Sequence, residues 1–252
     1  MATIKKESFG TTSDGKAASI YTLRNTKGNE LKVTDYGARI VSWRFRDKNY
    51  DNKFVLVAHD NVAAYEKDDS LGVVYVDGSA DLSHKVWNTE QTIEGVKFTI
   101  NEDGKDITVI YSVSNDNEVS IKYEAKGVND ISTQLTFSGD VLSNPDFKIF
   151  SDDFKGEKSG TFNIIDKPAE VEMELGMFGY DPGCPIDYLE AGLKNAALIE
   201  SNAASMLLKM YATQNTVHVD NVEGGFAIKT SGTKSDDGVI KSQTVYVLKN
   251  VK

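Results

Sequence analysis

The feature that most constrains this chain is the spacing of its apolar residues. β-Branched and aromatic side chains come in short runs, cut repeatedly by Gly, Asn and Asp. Residues Ser19–Leu23 and Glu30–Thr34 flank Asn25–Gly28, a polar segment ending in glycine, and this pattern predicts a hairpin. Ile40–Phe45, Val96–Ile100 and Ile107–Val113 are further runs, and the last pairs naturally with Val119–Ala125 across Asn115–Asn117. Val217–Asp220, Gly225–Thr230 and Gln243–Leu248 close the chain in the same way. Many short strands with such turns predict an all-β sandwich or barrel. The four prolines, at 145, 168, 182 and 185, fall between runs, where a sheet ladder does not need their missing donor. One stretch disagrees: Ala196–Met210 has helix-forming composition, and propensity alone predicts a helix there. No domain-sized composition shift, linker or repeat appears, so residues 1–252 are expected to form a single domain.

Charge narrows the function classes. Lys and Arg number 28 against 38 Asp and Glu, a net charge of −10. That surface disfavours nucleic acid and anionic membranes as partners. The lone cysteine, Cys184, permits neither an intrachain disulfide nor a thiolate metal cluster. No phosphate loop or nucleotide fingerprint is present, so neither metal nor cofactor is expected. Met1–Ser8 lacks the apolar core of a signal peptide, and no apolar run has bilayer length, so a cytoplasmic location is expected.

Several blocks carry a family likeness. Phe9-Gly10, Tyr21–Asn25 and Leu31–Trp43, with Asp35-Tyr36-Gly37-Ala38 inside the last, are followed by Phe54–Asp60 and Tyr65. Asn115–Ala125, Gly179-Tyr180-Asp181 and Gly225–Ile228 come later. In order and rough spacing these resemble the galactose mutarotase (aldose 1-epimerase) family, apart from a shortening between Tyr65 and Tyr75. The resemblance implies a large antiparallel β-sandwich, galactose mutarotase-like, with a small-molecule carbohydrate cleft open on one sheet. It also favours a turn near Ser201–Ser205 and a strand after it over the helix that propensity suggests.

The same resemblance argues against the family's reaction. Opening an aldopyranose needs a base for the anomeric hydroxyl proton and an acid for the ring oxygen. The family's basic glutamate falls on Lys229, in Gly225–Thr230, and lysine is a cation near neutrality. Its acidic histidine falls on Gln134, in Ile131–Phe137; glutamine donates hydrogen bonds but has no proton to give up. Counting back from Trp87, the sugar-binding histidine falls on Val76, with Asp77 beside it. The family's arginine has no counterpart in Glu66–Val74. Asp181 persists, either as an acceptor for sugar hydroxyls or as an Asx-type turn before Pro182-Gly183.

Other residues admit chemistry less readily. His218 and Asp220, two apart in a strand, face the same way and form either an oriented imidazole, half a metal site or a surface pair. His84, in the polar run Asp81–Lys85, is expected to be solvated, and His59, before Asp60, to serve a turn. Lys229 itself is either a solvated or ion-paired cation or, if desolvated, an amine able to form a Schiff base with an open-chain aldose. Trp43, Tyr75, Trp87 and Tyr180 are either stacking surfaces for a sugar or, for most of them, core residues. Three readings remain open: a carbohydrate-binding protein without epimerase chemistry, an aldose 1-epimerase with relocated residues such as Asp181 and His218, and a non-catalytic interaction module.

Overall fold

The computed structural model describes residues 2–165, 192–232 and 238–251. In chain order the strands are β1 (Thr3–Thr11), β2 (Ala17–Arg24), β3 (Glu30–Thr34), β4 (Ile40–Arg46), β5 (Asn52–Phe54), β6 (Val74–Val76) and β7 (Asn88–Gln91). Next come β8 (Val96–Glu102), β9 (Lys105–Val113), β10 (Glu118–Lys126), β11 (Ile131–Thr133), β12 (Leu135–Ser138), β13 (Asp146–Ile149) and β14 (Gly160–Asn163). The last five are β15 (Lys194–Ser201), β16 (Met206–Ala212), β17 (Thr216–Val222), β18 (Gly225–Ser231) and β19 (Val239–Asn250). A single turn of α-helix, α1 (Val62–Tyr65), and a 3₁₀ turn at Asp81–His84 interrupt them. Among the described residues no helix is long and apolar enough to cross a membrane.

The strands form a five-stranded meander β1-β2-β3-β4-β5, a large sheet β13-β15-β16-β19-β10-β9-β8-β7, the pair β11-β6 and a four-stranded sheet β12-β18-β17-β14. All of their strand pairings are antiparallel. One cluster of buried side chains draws on strands from all four. Aromatic pairs mark where sheets meet. Phe137 of β12 lies 6.3 Å from Tyr246 of β19, and Phe226 of β18 lies edge-on to Phe147 of β13 at 5.0 Å. Tyr21 of β2 meets Phe98 of β8 at 5.8 Å. The four-stranded and five-stranded sheets therefore both pack on the large one, the face-to-face arrangement of a sandwich.

The hairpin foreseen at Asn25–Gly28 joins β2 to β3, and β9 pairs with β10 across Asn115–Asn117. The helix-prone stretch is two strands, β15 and β16, with Ser205 at φ +52 in the turn between them. Alternation overrides propensity: Met206, Leu208, Met210 and Ala212 are buried at every second position, a period of two that no helix face supplies. The Asp35–Ala38 turn needs its glycine. Gly37 has φ +74, and a Cβ there would lie 2.1 Å from the Ser83 carbonyl oxygen.

A second cluster, Phe9, Ala18, Tyr36, Val41, Val62, Tyr65 and Leu71, fills the other face of the meander. It seats α1, whose N-cap Asn61 accepts from the Ala64 N–H. The short segment that follows α1 reaches the site described next.

Candidate functional site

The four-stranded sheet turns one face to the core, through Leu135, Phe137, Ile228, Phe226, Val217, Val219 and Phe162. Strand alternation sends the intervening residues to the other face. Register then aligns them. Thr161 is opposite His218, and His218 opposite Lys229; Leu135 is opposite Ile228, so Gln134, one residue earlier, is level with Lys229. Gln134, Lys229, His218 and Thr161 thus form one row across four chain segments. Gln134 and Lys229, the two residues that the resemblance singled out for acid and base positions, are neighbours.

Tyr75 joins them from β6. Its neighbours Val74 and Val76 are buried at 0% and 1% exposure, so the tyrosine points the other way, opposite Ser132. The Lys229 Nζ sits 4.4 Å above the Tyr75 ring centroid. The Tyr75 hydroxyl donates to the Asp69 carbonyl oxygen at 2.7 Å, and burial, then the Asp69 charge, raises its pKa. Gln134 Nε2 donates to the Ser70 carbonyl oxygen at 3.1 Å.

Both of those carbonyls belong to the segment between α1 and β6, the stretch shortened relative to the family. It is pinned by two imidazole–carboxylate pairs. His59 Nε2 lies 2.8 Å from Asp68 Oδ2, and His84 Nε2 lies 2.5 Å from Asp69 Oδ1. Asp68 also accepts from the N–H groups of Ser70 and Leu71. Burial works to raise the Asp68 pKa, but those N–H bonds and the Ser70 and His59 side chains outweigh it, and the net direction is downward. Beneath the segment Arg39 is fully buried. Its Nε donates to the Ser83 carbonyl at 3.2 Å and its Nη1 to that of Leu71 at 3.4 Å, while the guanidinium carbon lies 5.3 Å from the Tyr65 ring centroid. Burial lowers its pKa.

Not every candidate converges here. Val76 belongs to the core; the residue of β6 that faces the row is Tyr75, one position earlier. Asp77 occupies a turn at φ +51, where its carboxylate accepts from the N–H groups of Asn129 and Asp130 and lies 3.7 Å from Lys105 Nζ. Asp181 and Tyr180 lie outside the described residues. Trp43 and Trp87 are buried, as expected. His84, read as solvated, instead bridges Asp69 and the Tyr36 hydroxyl, because the folded segment brings Asp69 to it from fifteen residues away. His218 is held at both nitrogens, Nδ1 by Thr161 Oγ1 and Nε2 by Asp220 Oδ2, each at 2.7 Å. Among the described residues no group of three His, Cys, Asp or Glu is placed to hold a metal ion.

Chemically, this face offers an ammonium, a carboxamide, an aromatic ring, hydroxyls and a carboxylate-bound imidazole. Of the aromatics named in sequence, Tyr75 is the one on this face, and Val74-Tyr75-Val76 alternates as a half-buried strand does. Nothing comparable marks Arg39, whose burial depends on four separate segments.

No protein-family model and no curated protein matches this sequence. Solved structures do match. The GalM/aldose epimerase homologue from C. elegans is 12% identical with a TM-score of 0.69, and galactose 1-epimerase from Lactobacillus acidophilus NCFM is 13% identical with a TM-score of 0.67; both alignments cover 100% of each chain. A putative mutarotase (YeaD) from Salmonella typhimurium is 7% identical with a TM-score of 0.52, over 92% of this chain and 91% of that one. The chain therefore has the all-β sandwich fold of the galactose mutarotase and aldose epimerase structures.

Proposed function

We propose that this protein binds a carbohydrate on the Tyr75–Gln134–Lys229 face and lacks aldose 1-epimerase chemistry. The observation that carries the reading is the adjacency of Lys229 and Gln134 across β12 and β18. If these neighbours stand where a base and an acid would meet the sugar, an ammonium and a carboxamide replace them. General acid–base help is worth roughly 10²–10⁴-fold, and anomers interconvert unaided in water, so losing both groups removes most of the advantage over solvent. Binding has support of a different kind. The Tyr75 ring presents a flat apolar surface, and the Gln134, Lys229 and Thr161 side chains offer hydrogen bonds to hydroxyls.

Anomeric exchange spectroscopy with galactose and glucose tests the lost chemistry, and thermal-shift screening of saccharides tests binding, since a ligand raises stability by mass action. The expected result is stabilisation without acceleration. One observation favours a second reading, an epimerase with relocated residues: His218, hydrogen-bonded to Asp220, stands directly opposite Lys229. Acceleration that disappears in His218→Asn would establish that reading and reject the first.

A further inference from the structure

We propose that the ligand of this face is a sugar carrying one carboxylate, a uronic acid; the inference rests on the carbohydrate-binding reading above and narrows its substrate class. Some strand lysines have acidic partners, such as Lys53 with Asp47, Lys97 with Glu90, Lys105 with Asp77 and Lys122 with Glu94, while Lys6 and Lys148 lie against the Tyr21 and Phe150 rings. Among the described residues no carboxylate comes within 4 Å of the Lys229 ammonium, which lies against the Tyr75 ring. What distinguishes Lys229 is its place, level with Gln134, opposite His218 and against the Tyr75 ring on one face.

Its neighbours suit a sugar acid. Gln134 spends its NH₂ on the Ser70 carbonyl, which leaves its own oxygen to accept from a hydroxyl. The Tyr75 hydroxyl is tied to Asp69, which fixes the ring as a stacking surface beside the ammonium. His218 is already committed to Asp220 and Thr161, so it brings no free positive charge.

The charge count selects carboxylate over phosphate. A phosphate monoester carries about −1.5 to −2 near neutrality and is recognised best by arginine forks and clustered backbone N–H groups. In the described part of this face Lys229 is the single formal cation, and the nearby Arg39 is fully buried, its Nε and Nη1 turned to the Ser83 and Leu71 carbonyls. One ammonium matches one carboxylate.

Isothermal titration calorimetry on the full chain tests this with glucuronate and galacturonate, their parent hexoses, and glucose 6-phosphate. A charge-assisted hydrogen bond predicts a uronate affinity on the order of tenfold above that of the parent hexose. That preference should vanish in Lys229→Gln and weaken as salt is raised. Equal binding of uronate and neutral hexose would overturn the inference while leaving carbohydrate binding intact. Tighter binding of glucose 6-phosphate would overturn the choice of carboxylate. Failure of every sugar to bind would reject the carbohydrate-binding reading itself.

Discussion

The site depends on the β11–β12 junction presenting Gln134, and not its neighbour, to the outer face. Comparing Phe137→Ala with Gln134→Ala tests that register. Phe137 is fully buried, stacked on Phe226 at 5.2 Å and 15°, and lies 6.3 Å from both Trp43 and Tyr246. Truncating such a ring removes its transfer free energy and leaves a cavity among aromatic neighbours that cannot close in, about 3–5 kcal/mol. In a chain of this size each kcal/mol moves the melting point by roughly 2–4 °C, so the expected drop is roughly 6–20 °C. Gln134 is part-exposed and would lose one hydrogen bond to Ser70, about 0.5–1.5 kcal/mol. Urea unfolding followed by circular dichroism measures both. A slip of one residue would exchange the two faces. Comparable costs, or a larger cost for Gln134→Ala, would refute the register and with it the adjacency of Gln134 and Lys229.

Further outcomes follow from neighbouring contacts. Gly225→Ala should destabilise by about 1–3 kcal/mol or more, because the added Cβ would lie 1.8 Å from the Phe137 carbonyl oxygen, a backbone atom that cannot swing aside; an unchanged urea midpoint would disprove that close approach. A double-mutant cycle of Lys229→Met and Tyr75→Leu should show a coupling of about 0.5–1 kcal/mol, and coupling indistinguishable from zero would dissolve the cation–π contact. Asp68 has a lowered folded-state pKa, so its contribution is fully present above the unfolded carboxylate value of about 3.9 and is lost as pH falls through the lower folded value. Asp68→Asn should therefore flatten the acid side of the stability–pH curve, and an unaltered slope below about pH 4 would contradict the lowered pKa.

What the sequence reveals here is set by how local each signal is. Every strand named from its alternation is present, because period-two burial is written into consecutive residues such as Val217–Val219. Ala196–Met210 shows where composition misleads: its Leu, Met and Ala favour helices singly, but their alternate burial belongs to two strands of the large sheet. At the site, Gln134 and Lys229 are readable from flanking motifs. Val76 is buried and Tyr75 beside it faces the row, since counting from Trp87 fixes a distance and not a face. The His59–Asp68 and His84–Asp69 pairs depend on how the 66–72 segment folds back over Arg39, which no window of residues encodes.

The geometry also explains how such a face can change its chemistry and keep the sandwich. Gln134 and Lys229 alternate with Leu135 and Ile228, which carry the packing, so an exchange on the outer row leaves the aromatic seam of Phe137, Phe226 and Tyr246 in place. Among the described residues the Lys229 ammonium has no carboxylate within 4 Å. Tyr75 takes part of a counterion's role through its ring, and the remainder is available to an anionic ligand. Stability and recognition are thus carried by opposite faces of the same strands. For that reason, Lys229→Gln should shift the urea midpoint far less than Phe137→Ala while abolishing any preference for a charged sugar. If Lys229→Gln proved as destabilising as a core truncation, the lysine would be part of the packing, and the face would not be a site.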